Sequence, residues 1–255
     1  MPMDRESRRN SVERMRAEQA RRQRQRRWRT GIVAVVAAAG LAVGISFAVS
    51  SGGTTAAGSA PPMKLTSLAA LGRLSAAPSP GAEGSESVPV PDAAPLAGTA
   101  TSAAGRRVDG ISCQAGEQTL FHIHAHLTLF VNGSPRQVPA AIGIAGARAE
   151  QTSAGPFIAS GTCFYWLHTH APDGIIHIES PVQRGYTLGE FFDEWGQPLG
   201  PDQAGPARGK VTAIYNSQVY QGNPRVIPLT AHAQIQLEVG TPLVAPVSIT
   251  WPGGL

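Results

Sequence analysis

Only two cysteines, Cys113 and Cys163, occur in the 255 residues, so the chain can close one disulfide at most. Both lie within residues 106–255. A disulfide between them fits an oxidising compartment, and metal ligation by their thiolates is the alternative. No nucleophile elbow, phosphate-binding loop or dinucleotide fingerprint is present, so the chain lacks the motifs of α/β-hydrolases, P-loop NTPases and Rossmann dehydrogenases. No internal repeat of fixed period is found. Positive charge is scarce beyond the N-terminus. The first 29 residues hold eleven arginines against four acidic residues, a net +7, whereas the whole chain carries +4, which leaves −3 for everything that follows. The basic character belongs to a tail, and a nucleic-acid-binding domain is not implied.

Residues 31–49 contain no charge at all. A helix of that length spans about 28 Å, close to the hydrocarbon thickness of a bilayer. Trp28 and Arg29 stand at its start as an interfacial anchor, and the arginine tail stays cytoplasmic by the positive-inside rule. The expectation is a basic cytoplasmic tail over 1–29, a transmembrane signal anchor over 30–50 and an exported C-terminal part. A signal cleaved near Ala48-Val49-Ser50 is the alternative. Residues 51–105 are rich in Ala, Gly, Ser, Thr and Pro. They read as a flexible tether in which Leu65, Leu68, Leu71 and Leu74 suggest one or two helical turns. Residues 106–255 remain for one globular domain of ordinary size.

Six of the seven histidines crowd into two windows of that domain. The first, Phe-His-Ile-His-Ala-His-Leu, places His122, His124 and His126 on one face of a strand, because alternate strand side chains point the same way. The second, Leu-His-Thr-His-Ala-Pro-Asp-Gly-Ile-Ile-His-Ile-Glu, holds His168, His170, His177 and Glu179. Asn132-Gly133 predicts a two-residue hairpin turn pairing Val131 with Ser134, and the same register would bring Leu127 to Val138 and Ile123 to Ile142. That leaves Phe121, Ile123, Leu127, Leu129 and Val131 facing a core. A four-residue turn over 171–174 pairs His168 with His177 and gathers Trp166, His168, His170, His177 and Glu179 on one surface. A bulge at Gly174 would instead send His177 to the other face. Thr187-Leu-Gly-Glu190 is a capping box opening a short helix over 188–195. Strands are expected over 211–215, 218–220, 234–239 and 247–251.

The predicted fold is mainly β, a small α+β domain of antiparallel hairpins forming a sheet or partly open barrel with one short helix. The predicted metal ligands are His122, His124, His126, His168, His170 and His177. Glu179 is a further candidate as ligand, orienting carboxylate or general base, and His232 is a weaker one. Imidazole suits Cu, Zn and Fe, with Cu or Zn favoured. Neutral imidazoles should bind above about pH 6.5 and release the ion on mild acidification. The strand geometry of Phe121-His122-Ile123-His124 with Ile176-His177-Ile178 is similar to the ligand set of α-type carbonic anhydrases, although the domain is too short for that fold. His168-Thr169-His170 has the opening spacing of a cupin, but Glu179 stands too far on.

Four strings together, His-Ile-His-Ala-His-Leu, Cys-Phe-Tyr-Trp-Leu-His-Thr-His, Gly-Ile-Ile-His-Ile-Glu-Ser-Pro and Leu-Gly-Glu-Phe-Phe-Asp-Glu-Trp-Gly, carry a further likeness. The chain resembles a group of bacterial exported or membrane-anchored domains that share them over about residues 110–245 and have no established activity. The resemblance implies the domain's limits and the position of its site. The functional expectation is a membrane-anchored, extracytoplasmic protein that handles, sequesters or senses a transition metal. A metal-dependent enzyme (a three-histidine hydrolase or hydratase, or an iron oxygenase on His168, His170 and Glu179) is the rival, and an envelope interaction module without metal is the third. The membrane is the one expected partner; protein partners leave no sequence signal.

Overall fold

The computed structural model describes residues 63–99 and 105–255. The basic tail and the apolar segment over 30–50 lie outside the described residues, and among the described residues no helix is long and apolar enough to cross a membrane.

One mixed sheet organises the domain. Its strands are β1 (Leu65–Thr66), β2 (Phe121–Val131), β3 (Ser134–Arg136), β4 (Leu167–His168), β5 (Ile175–Ser180), β6 (Val211–Tyr215), β7 (Gln218–Tyr220) and β8 (Ala233–Val239). They run in the order β1-β7-β6-β8-β2-β5-β4, with β3 paired to the end of β2. All neighbours are antiparallel except β8 and β2, which run parallel at the centre. The sheet is open, not a barrel. The parallel pair departs from the expected all-hairpin plan; it is permitted because about a hundred residues separate β2 from β8, ample for a crossover.

The first turn forms as predicted, with Asn132 and Gly133 at φ 50° and 74° and Val131 opposite Ser134. The hairpin then stops after three pairs. Pro139 has no N–H to give a ladder, and residues 141–143 turn to hydrogen-bond with the 165–169 segment instead. The expected pairings of Leu127 with Val138 and Ile123 with Ile142 therefore do not form. β5 takes that edge of β2, from Phe121↔Ser180 to His126↔Ile175. Val138 and Ile142 are still buried. In the second window the four-residue turn is the register found, with Leu167↔Ile178 and His168↔His177. Gly174 (φ 92°) is required there, since a Cβ would lie 2.4 Å from the Leu127 carbonyl oxygen.

The core face of the sheet carries Ala125, Leu127, Leu129, Ile176 and Ile178. Against it packs helix α1 (Leu188–Trp195), opened by the Thr187–Glu190 capping box and burying Leu188, Phe191, Phe192 and Trp195. The opposite face carries the histidines and is roofed by three segments. One is residues 78–91. The second is a ribbon of Arg148–Thr152 with Gly155–Ser160. The third is the C-terminal stretch, which was expected to end in a strand over 247–251 and forms none. Its backbone is held by side chains: Gln234 and Gln236 of β8 receive the Ile249 and Val247 N–H groups at 2.8 Å, and Glu238 receives that of Val244.

The tether expected over 51–105 is corrected for residues 63–99. β1 pairs with β7, Leu68–Leu71 makes one 3-10 turn, and Val88 and Leu96 are buried. The segment is ordered through docking onto the domain, which its own composition does not announce.

Candidate metal centre

Three adjacent strands build the site. On β2, His124 stands opposite His177 of β5, and His122 opposite Glu179. β4 sets His168 opposite His177 from the other side, and His170 follows two residues on. His124, His168, His170, His177 and Glu179 are all buried. His122, with its side chain 38% exposed, is the edge that faces solvent.

The hydrogen bonds fix which nitrogen carries the proton. The ring of His168 meets the Tyr165 carbonyl through Nδ1 at 2.9 Å, and that of His170 meets the Ile158 carbonyl through Nδ1 at 2.5 Å. A carbonyl oxygen can only accept, so each Nδ1 is the donor and the lone pair of the neutral ring sits on Nε2. Those two Nε2 atoms face each other at 3.1 Å, two acceptors with no proton between them. Metal-ligating histidines have this form: one nitrogen is anchored on a backbone oxygen and the other is free to ligate. Phe157 stacks on His170 at 4.7 Å and holds the ring in place.

Around them, His122 Nε2 lies 3.0 Å from His124 Nε2 and 2.9 Å from Glu179 Oε1. His177 Nε2 meets Glu86 Oε1 at 2.7 Å. Glu117 Oε1 lies 3.6 Å from His170 Nε2. The donors within mutual reach form three groups that could hold an ion: His122 with His124 and His177, His168 with His170 and His177, and Glu117 with His168 and Glu179. Glu86 Oε2, His177 Nδ1 and Glu179 Oε2 are buried without any hydrogen-bond partner, a cost that ligation would remove. A cavity of about 350 Å³ adjoins the cluster, lined among others by His122, His124, His177, Glu179 and Phe157.

Burial sets the charge states. It pushes His124 down to about 3, reinforced by His177 and His122. It also holds His168 and His170 below their ordinary value, again with His177 adding to the effect. Burial opposes charge on His177 as well, but the Glu179 and Glu86 carboxylates outweigh it and raise His177 to about 9. Glu179 is likewise disfavoured as an anion by burial, yet His122 and His177 hold it well below the usual carboxylate range. His124, His168 and His170 therefore stay neutral below the ordinary imidazole range, whereas His177 holds its proton up to about pH 9 and would have to give it up to ligate.

His126 shares the face but stands apart from the three groups. Its Nε2–H donates to the Asp173 carbonyl at 2.9 Å, and its Nδ1 is buried without a partner. His232 stacks on Trp251 and belongs to none of the groups either. Cys113 and Cys163 are joined in a disulfide, which removes thiolate ligation.

Glu86 and Glu117 escaped the sequence reading. Glu86 sits in a Gly-Ser-Glu-Ser string with nothing to mark it. Glu117 had a usable signal: it lies four residues after Cys113, and the disulfide to Cys163 pins that stretch beside His168. Comparison with protein-family models, with curated proteins and with solved structures finds no match for this chain.

Proposed function

We propose that this chain is a membrane-anchored, extracytoplasmic protein that binds a divalent transition metal, Cu(II) or Zn(II), to handle, sequester or sense it at the cell envelope. The observation that carries the reading is the facing pair of Nε2 atoms of His168 and His170, with both tautomers dictated by backbone carbonyls. His177 completes a buried triad. The donors are nitrogen and oxygen, a set that suits Cu(II), Zn(II) or Fe(II) better than Cu(I), which prefers sulfur. The disulfide suits an oxidising compartment, and the uncharged segment over 31–49 behind an arginine-rich tail supplies the anchor and its orientation.

A second reading, a metal-dependent hydrolytic enzyme, is favoured by one observation: the cavity beside the cluster includes Glu179, a carboxylate placed to take a proton from a metal-bound water. The test is element analysis of the full-length chain, extracted from membranes and never exposed to a nickel column. Near-stoichiometric copper, zinc or iron is expected, lost in His168→Ala/His170→Ala while the circular dichroism is retained. A metal-free chain that takes up none of the three at micromolar concentrations overturns the proposal and leaves an interaction module.

A further inference from the structure

The cluster holds more donors than one ion can use. Five imidazoles (His122, His124, His168, His170 and His177) and the carboxylates of Glu86, Glu117 and Glu179 lie in or against it, whereas a tetrahedral ion takes four ligands. The imidazoles are also divided. Nε2 of His122 and Nε2 of His124 are 3.0 Å apart, and those of His168 and His170 are 3.1 Å apart. Nitrogens at that separation subtend roughly 95° at an ion about 2.05 Å from each, so either pair is a complete bite for one metal. The two pairs do not merge: His122 and His124 group with His177, His168 and His170 group with His177, and no single group holds all four. Ligands of one ion lie at most about 4.2 Å apart, twice the metal–nitrogen bond.

Two residues stand between the pairs. Glu179 Oε1 is 2.9 Å from His122 Nε2 and 3.8 Å from His177 Nδ1, and Glu179 also groups with His168 and Glu117. Its Oε2 is buried without a partner. His177 offers an unpartnered, buried Nδ1, because its Nε2 is engaged by Glu86.

We infer that the site is a dinuclear transition-metal centre, with one ion on His168 and His170, a second on His122 and His124, and the Glu179 carboxylate bridging them. His177 ligates through Nδ1 by releasing the proton that its ring otherwise carries there, with Glu86 orienting the ring through Nε2 as a positioning residue. This rests on the metal-binding reading above. The cavity is lined by His122 and His124 of one pair and by His170 of the other, so both ions border it and an exogenous oxygen ligand has access to the centre.

The test is a Cu(II) titration of the full-length chain after chelator treatment, with bound copper counted by equilibrium dialysis and read by electron paramagnetic resonance. Two copper ions per chain are expected, with an integrated signal well below two spins through coupling across the carboxylate. His122→Gln/His124→Gln and His168→Gln/His170→Gln should each retain one ion, giving a full one-spin signal, with circular dichroism confirming the fold. One ion per chain in the unaltered protein overturns the dinuclear centre while leaving metal binding intact. Two ions with an uncoupled two-spin signal overturn the bridge. No bound copper, with Zn(II) and Fe(II) dialysed in the same way and also left unbound, overturns the metal-binding reading itself.

Discussion

A backbone carbonyl cannot donate a hydrogen bond, and this single fact sets the chemistry of three imidazoles. His168 and His170 are Nδ1–H tautomers whose Nε2 lone pairs face each other in the cluster, whereas His126 is an Nε2–H tautomer that belongs to none of the candidate metal groups. Long-range proton–nitrogen NMR of the metal-free chain should show these three assignments. Added Zn(II) should shift Nε2 of His168 and His170 and leave His126 unmoved; a shift at His126 would place it among the ligands. Burial of neutral imidazoles also has a sign. His126 falls from 6.5 to about 4 through desolvation, so its contribution is present above pH 6.5 and lost as pH falls through about 4, a loss of ~3 kcal/mol. His177, raised to about 9 by Glu179 and Glu86 against the opposing effect of burial, acts oppositely: its contribution is present below 6.5 and lost as pH rises through about 9. The same NMR experiment followed over pH should therefore show the His126 ring of the metal-free chain still neutral at pH 5 and the His177 ring still charged at pH 8. A His126 ring that protonates near pH 6.5 would contradict its burial as a neutral imidazole.

At the scale of elements, alternation was legible and termination was not. The period-2 pattern placed His122, His124 and His126 on one face, whereas the Pro-Asp-Gly window left two registers open, of which the one that sets His168 opposite His177 is found. The capping box likewise located the helix over 188–195. Three pairs of the first hairpin were correct and the rest were not, since nothing local says that β5, forty residues on, outcompetes the 138–142 segment for the edge of β2. The parallel β8–β2 pairing is equally non-local. Gly174→Ala tests the turn: its Cβ would meet a backbone carbonyl that cannot move aside, so denaturant unfolding should report a loss of about 3 kcal/mol. Residues 63–99 were illegible because their order comes from docking. A chain beginning at residue 106 lacks the buried Val88 and Leu96, the β1 pairing and Glu86. It should be less stable than one beginning at residue 60 by on the order of 3 kcal/mol, and equal stability would show that 63–99 contributes nothing.

At the scale of the whole molecule, the sheet divides its labour between faces. One face, with α1, supplies the apolar core; the other gathers histidines and carboxylates beneath three roofing segments that bring Glu86, the Ile158 carbonyl and the wall of the cavity. The roof explains why the candidate site was only half legible. Strand periodicity reveals what a strand presents, whereas two of the groups that fix tautomer and charge, the Ile158 carbonyl and Glu86, arrive from segments 12 and 91 residues away. An ion bound at a thousand times its dissociation constant adds ~4 kcal/mol to folding stability, so copper or zinc should raise the melting temperature of the full chain. The most direct measurement is X-ray absorption at the copper or zinc edge of the loaded protein. The account predicts a first shell of nitrogen and oxygen only, at about 2.0–2.1 Å, with the outer-shell scattering of at least two imidazoles per ion. A sulfur shell, or a metal spectrum without imidazole scattering, would contradict it.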